Sequence, residues 1–230
     1  MKVDIGKLKT KGFIKQKGKN LFCVRIRLVG GRLNVVELLK IKEVAEKYGK
    51  GYIHLTSRQG LEIPNIALKN LEKVEKELKE VGLKIGSSGP TIRTILACQG
   101  DICPHGLIKA YEVAKKIDER ISQNEILPNK FKISVCGCKN ACSKPQENDI
   151  GIMGVLKKRK KGYKVFVGGK IGKSPKFGIV LFEFIENLDE LLDIVAKLVK
   201  FFKENAKDKE RFRDTIDRLG IETLKEYLKE

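Results

Sequence analysis

LFCVRIRLVGGRLNVVELLKIKEVAEKYGKGYIHLTSRQGLEI, residues 21–63, decides the architecture of the first part of the chain. Residues 21–29 alternate and are rich in β-branched side chains, which reads as a strand, and Gly30-Gly31 end it. Over 34–48 the apolar residues Val35, Leu38, Leu39, Ile41, Val44 and Ala45 recur near helical spacing, and Gly49 supplies the stop. YIHLT (52–56) reads as a strand, Arg58-Gln59-Gly60 as a turn and 61–63 as a second short strand. An amphipathic helix over 67–81 follows and ends at Gly82.

That β-α-β-β-α order predicts an α+β unit of the ferredoxin-like kind, with helices packed on one face of a sheet. The five small or ring-locked residues Gly86-Ser87-Ser88-Gly89-Pro90 can propagate neither period, so the boundary is expected there, with one module at 1–88 and a second at 89–230. The second module offers strands at 91–97, 131–135, 150–156 and 163–169 and a helix at about 107–121. A Cys-rich loop runs to about 149. Helices close the chain, the firmest over 188–203 through Leu188, Leu191, Leu192, Val195, Leu198 and Val199.

The chemistry is concentrated in ACQGDICPHG (97–106) and CGCKNACSKP (136–145). Four or five thiols are expected to converge. Cys98 and Cys103 flank Gly100, which permits a sharp loop, while Cys138 and Cys142 lie close enough to face one metal centre. Four thiolates suit a [4Fe–4S] cube and would also suit a structural zinc ion. The unmatched x₄ and x₃ spacings favour the cube over the short matched knuckles of zinc sites, with reduced, metal-free thiols as the remaining reading. Cys136 could replace Cys138 or sit as a small hydrophobe, and Cys23, among apolar neighbours, reads as a buried inert thiol.

Forty-eight Lys and Arg against 29 Asp and Glu leave a formal charge of +19 on 230 residues, which draws in something anionic. A nucleic-acid sheet would interleave exposed aromatics with its charges, but only Tyr163 adjoins the basic run Lys157-Lys158-Arg159-Lys160-Lys161, so nucleic acid is not the expected partner. No stretch approaches the roughly 20 apolar residues of a membrane span, and MKVDIGKLKTKGF lacks the apolar core of a signal peptide. The expected location is the cytosol, where six Cys point to metal binding or catalysis before disulfides.

With these residues in view, the chain resembles the siroheme-containing sulfite and nitrite reductase family. YIHLTSRQGLEI and VGLKI are similar to that family's ferredoxin-like half-domain; TIRTILACQGDICPHG and KFKISVCGCKNACSKPQENDIGIMG are similar to its siroheme and cluster module. VFVGGKIG and ERFRDTIDRLG resemble its closing segments. The resemblance implies that Cys98, Cys103, Cys138 and Cys142 hold a [4Fe–4S] cluster, with Cys142 also bridging to siroheme. It further implies that Arg58, Arg93, Lys130 and Lys132 bind the substrate oxyanion, sulfite or nitrite, and that Gln59 and Asn140 lie near the macrocycle. His105 and His54 read as structural. The second reading keeps both cofactors but drops turnover, leaving an electron-transfer or tetrapyrrole-handling protein.

Two departures carry weight. The family's first Cys pair is usually separated by five residues and here by four, which leaves a ligand role for Cys136 open. Family enzymes commonly carry two pseudo-symmetric copies of this unit, with cations from one copy over the cluster of the other, so a single copy implies a homodimer. Gly30-Gly31 and Gly168-Gly169 are not the G-x-G-x-x-G turn that cradles a pyrophosphate. Electrons are therefore expected from a separate acidic carrier such as a ferredoxin, docking on the basic turn at 157–164.

Overall fold

The computed structural model describes residues 4–86, 88–121 and 125–229. The first part runs α1 (Ile5–Thr10), β1 (Phe13–Lys15), β2 (Leu21–Ile26), α2 (Val35–Tyr48), β3 (His54–Leu55), β4 (Leu61–Ala67) and α3 (Leu71–Glu80). Its strands form an antiparallel sheet in the order β1-β2-β4-β3. Alternation along β2 sends Phe22, Val24 and Ile26 into a buried cluster with Ile41 and Val44 of α2 and Val74 and Leu78 of α3. Arg25 takes the opposite alternation. β2 stops at Ile26, earlier than the strand expected to 29, because residues 29–31 close a tight 3₁₀ turn in which Gly30 and Gly31 have φ of 59° and 67°.

Asn34 and Glu37 form a reciprocal capping box at the start of α2. The period over 34–48 locates this helix but not its cover: Ile41, Val44 and Ala45 are buried, whereas Val35, Val36, Leu38 and Leu39 in its first turns are exposed. Two short elements, α1 and β1, have no counterpart in the sequence reading.

The second part comprises β5 (Leu96–Ala97), α4 (Ala110–Arg120), β6 (Ile133–Cys136), β7 (Ile150–Lys157), β8 (Lys160–Val167), β9 (Ile179–Ile185), α5 (Leu188–Asn205), α6 (Phe212–Leu219) and α7 (Ile221–Lys229). The sheet runs β5-β6-β7-β8-β9, parallel through β7 and antiparallel beyond. The strand expected at 91–97 pairs only at its two ends, by the Ile92–Phe131 bridge and by Leu96-Ala97. β7 and β8 meet at a two-residue turn, Lys158-Arg159, so the basic stretch lies mostly in strands and not in a broad loop. Edge strand β9 was not anticipated.

Buried apolar residues fall into two clusters, one drawn from 13–83 and the other from 92–224. In the second, Phe131, Phe202 and Phe212 stack with centroids 5.2–5.6 Å apart, tying the segment before β6 to α5 and α6. Ser87, in the expected boundary, lies outside the described residues. Polar contacts join the two sides: Arg27, just past β2, pairs with Asp118 of α4 and reaches the Ile92 carbonyl, and Gly30 N–H donates to the Ile95 carbonyl at 3.0 Å.

Candidate active site

Five cations from four segments line one cavity of about 230 Å³: Arg25 of β2, Arg58 of the β3–β4 turn, Arg93 ahead of β5, and Lys130 and Lys132 ahead of β6. Four are the residues expected to bind an oxyanion. Arg25 was missed, although its place opposite Phe22, Val24 and Ile26 on an alternating strand was a signal that it leaves the core. Glu62 anchors it, accepting from Arg25 Nε at 2.8 Å.

The turn that presents Arg58 is tied on both sides. Thr56 Oγ1 accepts from Gly60 N–H at 3.0 Å, and the Gln59 side chain clamps Ala97, donating to its carbonyl at 2.8 Å and accepting from its N–H at 3.1 Å. Gln59, expected near a macrocycle, thus has its amide engaged with β5, one residue before Cys98. Arg58 Nη1 donates to Asn148 Oδ1 at 2.9 Å and Nη2 to the Thr94 carbonyl at 3.3 Å. Arg93 Nη2 donates to the Gly89 carbonyl at 3.0 Å.

Behind these cations lies Asp149, fully buried at the head of β7. Its carboxylate accepts from Lys132 N–H at 2.8 Å and from Arg211 Nη2 at 3.0 and 3.1 Å. Burial lowers Arg58 and Arg93 to about 10; Arg25 and Arg211 add to it at both, Arg58 adds to it at Arg93, and Asp149 opposes it at Arg58. Lys132 is lowered to about 8 by burial first, then by Arg58 and Arg211, with Asp149 opposing. Burial likewise lowers Lys130. A site that holds several unwilling cations together is relieved by an anion.

The cysteine loops abut through glycines. A Cβ on Gly106 would lie 2.0 Å from the Gly100 carbonyl oxygen, one on Gly137 2.8 Å from Gly100 Cα, and one on Gly154 2.2 Å from the Gly137 carbonyl oxygen. Leu107 N–H donates to the Gly137 carbonyl at 2.8 Å, and Gly137 N–H donates to Cys98 Sγ at 2.9 Å. Asp101 accepts from Tyr111 N–H at 2.9 Å and seats the first loop on α4. Ser134 and Ser143 cross-brace the second by hydroxyl bonds to the Ser143 and Val135 carbonyls at 2.6 and 2.8 Å.

The thiols do not converge as expected. Cys142 is exposed, Cys98 and Cys103 are half-buried, and Cys138 is buried. Among the described residues no group of three or more Cys, His, Asp or Glu is gathered to hold a metal ion. Cys98 is turned instead toward Cys136, and their shared hydrogen bond raises Cys98 while lowering Cys136. The donor set still suits a cluster: Cys98 and Cys103 lie in one loop, Cys138 and Cys142 in the other, and the two loops meet at Gly100 and Gly137. Asn140 and His105 are exposed; His54 Nδ1 lies 3.3 Å from Glu62. Cys23 is buried and its thiol is raised to about 12 by burial and by Glu62, as suits an inert residue.

Comparison with known proteins decides the family. Residues 88–230 match the nitrite and sulphite reductase 4Fe-4S domain, and residues 14–81 match the nitrite/sulfite reductase ferredoxin-like half domain. The chain belongs to the nitrite and sulphite reductase family. It is 28% identical to an assimilatory-type sulfite reductase of Nitratidesulfovibrio vulgaris, over 94% of this chain and 96% of that one. It is 27% identical to a coenzyme F420-dependent sulfite reductase of Methanocaldococcus jannaschii, over 95% of this chain but only 44% of that one. Its fold superposes on the NirA protein of Mycobacterium tuberculosis with a TM-score of 0.86 at 18% identity, covering 97% of this chain and 45% of NirA. The reductase-family fold is thus present at low identity. Its ferredoxin-like half-domain and cluster module appear in that order, as the sequence predicts.

Proposed function

We propose that this family member reduces a small oxyanion, sulfite or nitrite, with siroheme and a [4Fe–4S] cluster and electrons from an external carrier. One observation carries the reading. The cation cavity and the cysteine loops are joined through Asn148, whose Oδ1 accepts from Arg58 and whose Nδ2 donates to the carbonyl of Lys144, two residues after Cys142. On this reading an oxyanion site and a thiolate-rich cofactor site would share one polar frame.

Cys98, Cys103, Cys138 and Cys142 would hold the cluster, and Cys142, the exposed thiol, would also help to hold siroheme. The cofactors would supply electrons to the bound oxyanion. The residues of the chain do the rest. Arg58, Arg93 and Lys130 hold negative charge at the oxygens, and Lys132, lowered to about 8, can release a proton to a departing oxygen near neutral pH. A spectrum of anaerobically purified protein tests the reading against the non-catalytic alternative. Siroheme and cluster bands with sulfite or nitrite turnover are expected; the bands without turnover would leave an electron-transfer or tetrapyrrole-handling protein. Cys142→Ser should lose both sets of bands, and siroheme at full occupancy in that variant would refute the shared ligand.

A homodimer is a further part of the proposal, since the chain holds one copy of the unit and covers 45% of NirA. Uncovered Val35, Val36 and Leu39 on α2 offer apolar surface for one. Lys132→Ala and Arg93→Ala are each expected to lower kcat/KM about tenfold or more, the loss from removing one electrostatic contact to developing charge. If sites are shared between protomers, a Cys142→Ser protein mixed with a Lys132→Ala/Arg93→Ala protein should regain up to about a quarter of wild-type activity after subunit exchange. A mixture that stays dead after proven exchange would place the whole site within one chain. The donor is proposed to be an acidic protein such as a ferredoxin, drawn by the charge of +19. Loss of salt dependence in its reduction rate would refute that.

A further inference from the structure

The geometry points to Asp149, clamped by Arg211, as the positioning residue of the anion cavity, which makes the N-terminus of α6 part of that site. The inference rests on the oxyanion reading of the cavity and concerns two residues that reading does not use. Both arms of the clamp are short: Arg211 Nη2 reaches both carboxylate oxygens, and the second oxygen also takes the N–H of Lys132. Arg211 is the residue that opens α6, and its side chain is only 12% exposed. Lys132 is therefore placed through its backbone by a carboxylate whose own position is set some 60 residues downstream in the chain.

The neighbouring residue extends the frame. Asn148 and Asp149 are consecutive and both buried, the first holding the Arg58 guanidinium and the second the Lys132 backbone. One dipeptide thus fixes the spacing between an arginine and a lysine that must meet the same anion. Asp149 is also a counter-charge. Lys132 faces Arg58 from the β3–β4 turn, Arg211 from the N-cap of α6, Lys130 from its own segment and Asp149 from just ahead of β7. Lys130 faces Arg211, Arg93, Asp149 and Lys9 of α1, while Arg25 presses on Arg58 and Arg93. Without the carboxylate, the cations would repel one another unopposed at this end of the cavity.

Two variants of the full chain separate positioning from charge, with nitrite as the probe because it stays a monoanion across the range used. Binding is read by calorimetry between about pH 6 and about pH 9, and the ionisation of Lys132 by ¹³Cε shifts of labelled lysine, assigned by its loss in Lys132→Arg. In the wild type, affinity should fall as pH rises through about 8, where Lys132 loses its proton. Asp149→Asn removes a neighbouring negative charge, so the lysine step should move to lower pH while acid-side affinity is kept or raised. An unmoved step in the folded variant would overturn the counter-charge role.

Asp149→Asn alone leaves Arg211 buried and unpaired and could fail to fold. Asp149→Asn/Arg211→Gln removes one charge of each sign, so its net charge is unchanged and any loss of affinity reports placement. About tenfold weaker nitrite binding at about pH 6 is expected, the scale of loss from displaced binding groups. Wild-type affinity in the folded double variant would overturn the positioning role. If the wild-type protein itself binds neither nitrite nor sulfite, the oxyanion reading fails, and the lysine titration still decides whether Asp149 governs Lys132.

Discussion

A single methyl group added at Gly154 is expected to strip the protein of iron. The Cβ of Gly154→Ala would sit 2.2 Å from the Gly137 carbonyl oxygen and 3.0 Å from Ile108 Cγ1, distances that demand movement. β7 cannot yield easily, because it is paired with β6 on one side and β8 on the other. The loop must move instead. Gly137 lies between Cys136 and Cys138, its carbonyl takes the Leu107 N–H and its own N–H is given to Cys98. Pushing it outward separates the two thiol-bearing loops at their contact. Overpacking of this kind costs about 1–3 kcal/mol, so the sheet should survive while cofactor assembly does not. Iron and acid-labile sulfide assays on anaerobically purified protein check this, with Leu156→Ala, an exposed site on the same strand, as the variant that keeps its iron. Full iron content in a folded Gly154→Ala protein would show that the loop contact is dispensable.

Asp118→Ala should destabilise the fold by about 3–5 kcal/mol, the cost of leaving a buried charge without its partner. The Arg27 side chain is 3% exposed and that of Asp118 11%, and Arg27 Nε is already buried without a hydrogen-bond partner. With the carboxylate removed, the guanidinium keeps only its 3.5 Å contact to the Ile92 carbonyl from among its described partners in the second part. Denaturant unfolding measures the loss. Arg27→Met/Asp118→Leu should recover most of it, because well-packed apolar replacements of buried pairs are near neutral. A loss under about 1 kcal/mol in the single variant would mean that water reaches Arg27 and the pair is not dry.

Patterns that depend on one element were legible in the sequence. The 3.6 period over 188–203 became α5, with Leu191, Val195, Leu198 and Val199 buried. Lys130 and Lys132 fall on one side of the chain by simple alternation, and the cavity receives both. Patterns that depend on what lies opposite were not legible. The apolar first turns of α2 look like core in a helical wheel, but periodicity reports only that a face is apolar and says nothing of what covers it. The same holds for Asp149 and Arg211, an acid and a base among many, whose meeting requires α6 to return to the head of β7. The thiols show the limit most sharply: spacing groups Cys138 with Cys142, while the folded chain turns Cys98 toward Cys136.

The β7–β8 turn bears on how a hardier version of this protein could be made. Lys158 and Arg159 both adopt left-handed backbone, with φ of 48° and 65°, where hairpins of this length favour Asn-Gly. Each such residue that is not glycine carries about 1 kcal/mol of strain. Thermal hardening could therefore begin at this turn, by exchanging two residues for the pair that the geometry prefers. The exchange also deletes two positive charges from the tip. An engineer who makes it would learn, from one molecule, whether robustness can be raised without altering the proposed recognition of an acidic electron carrier.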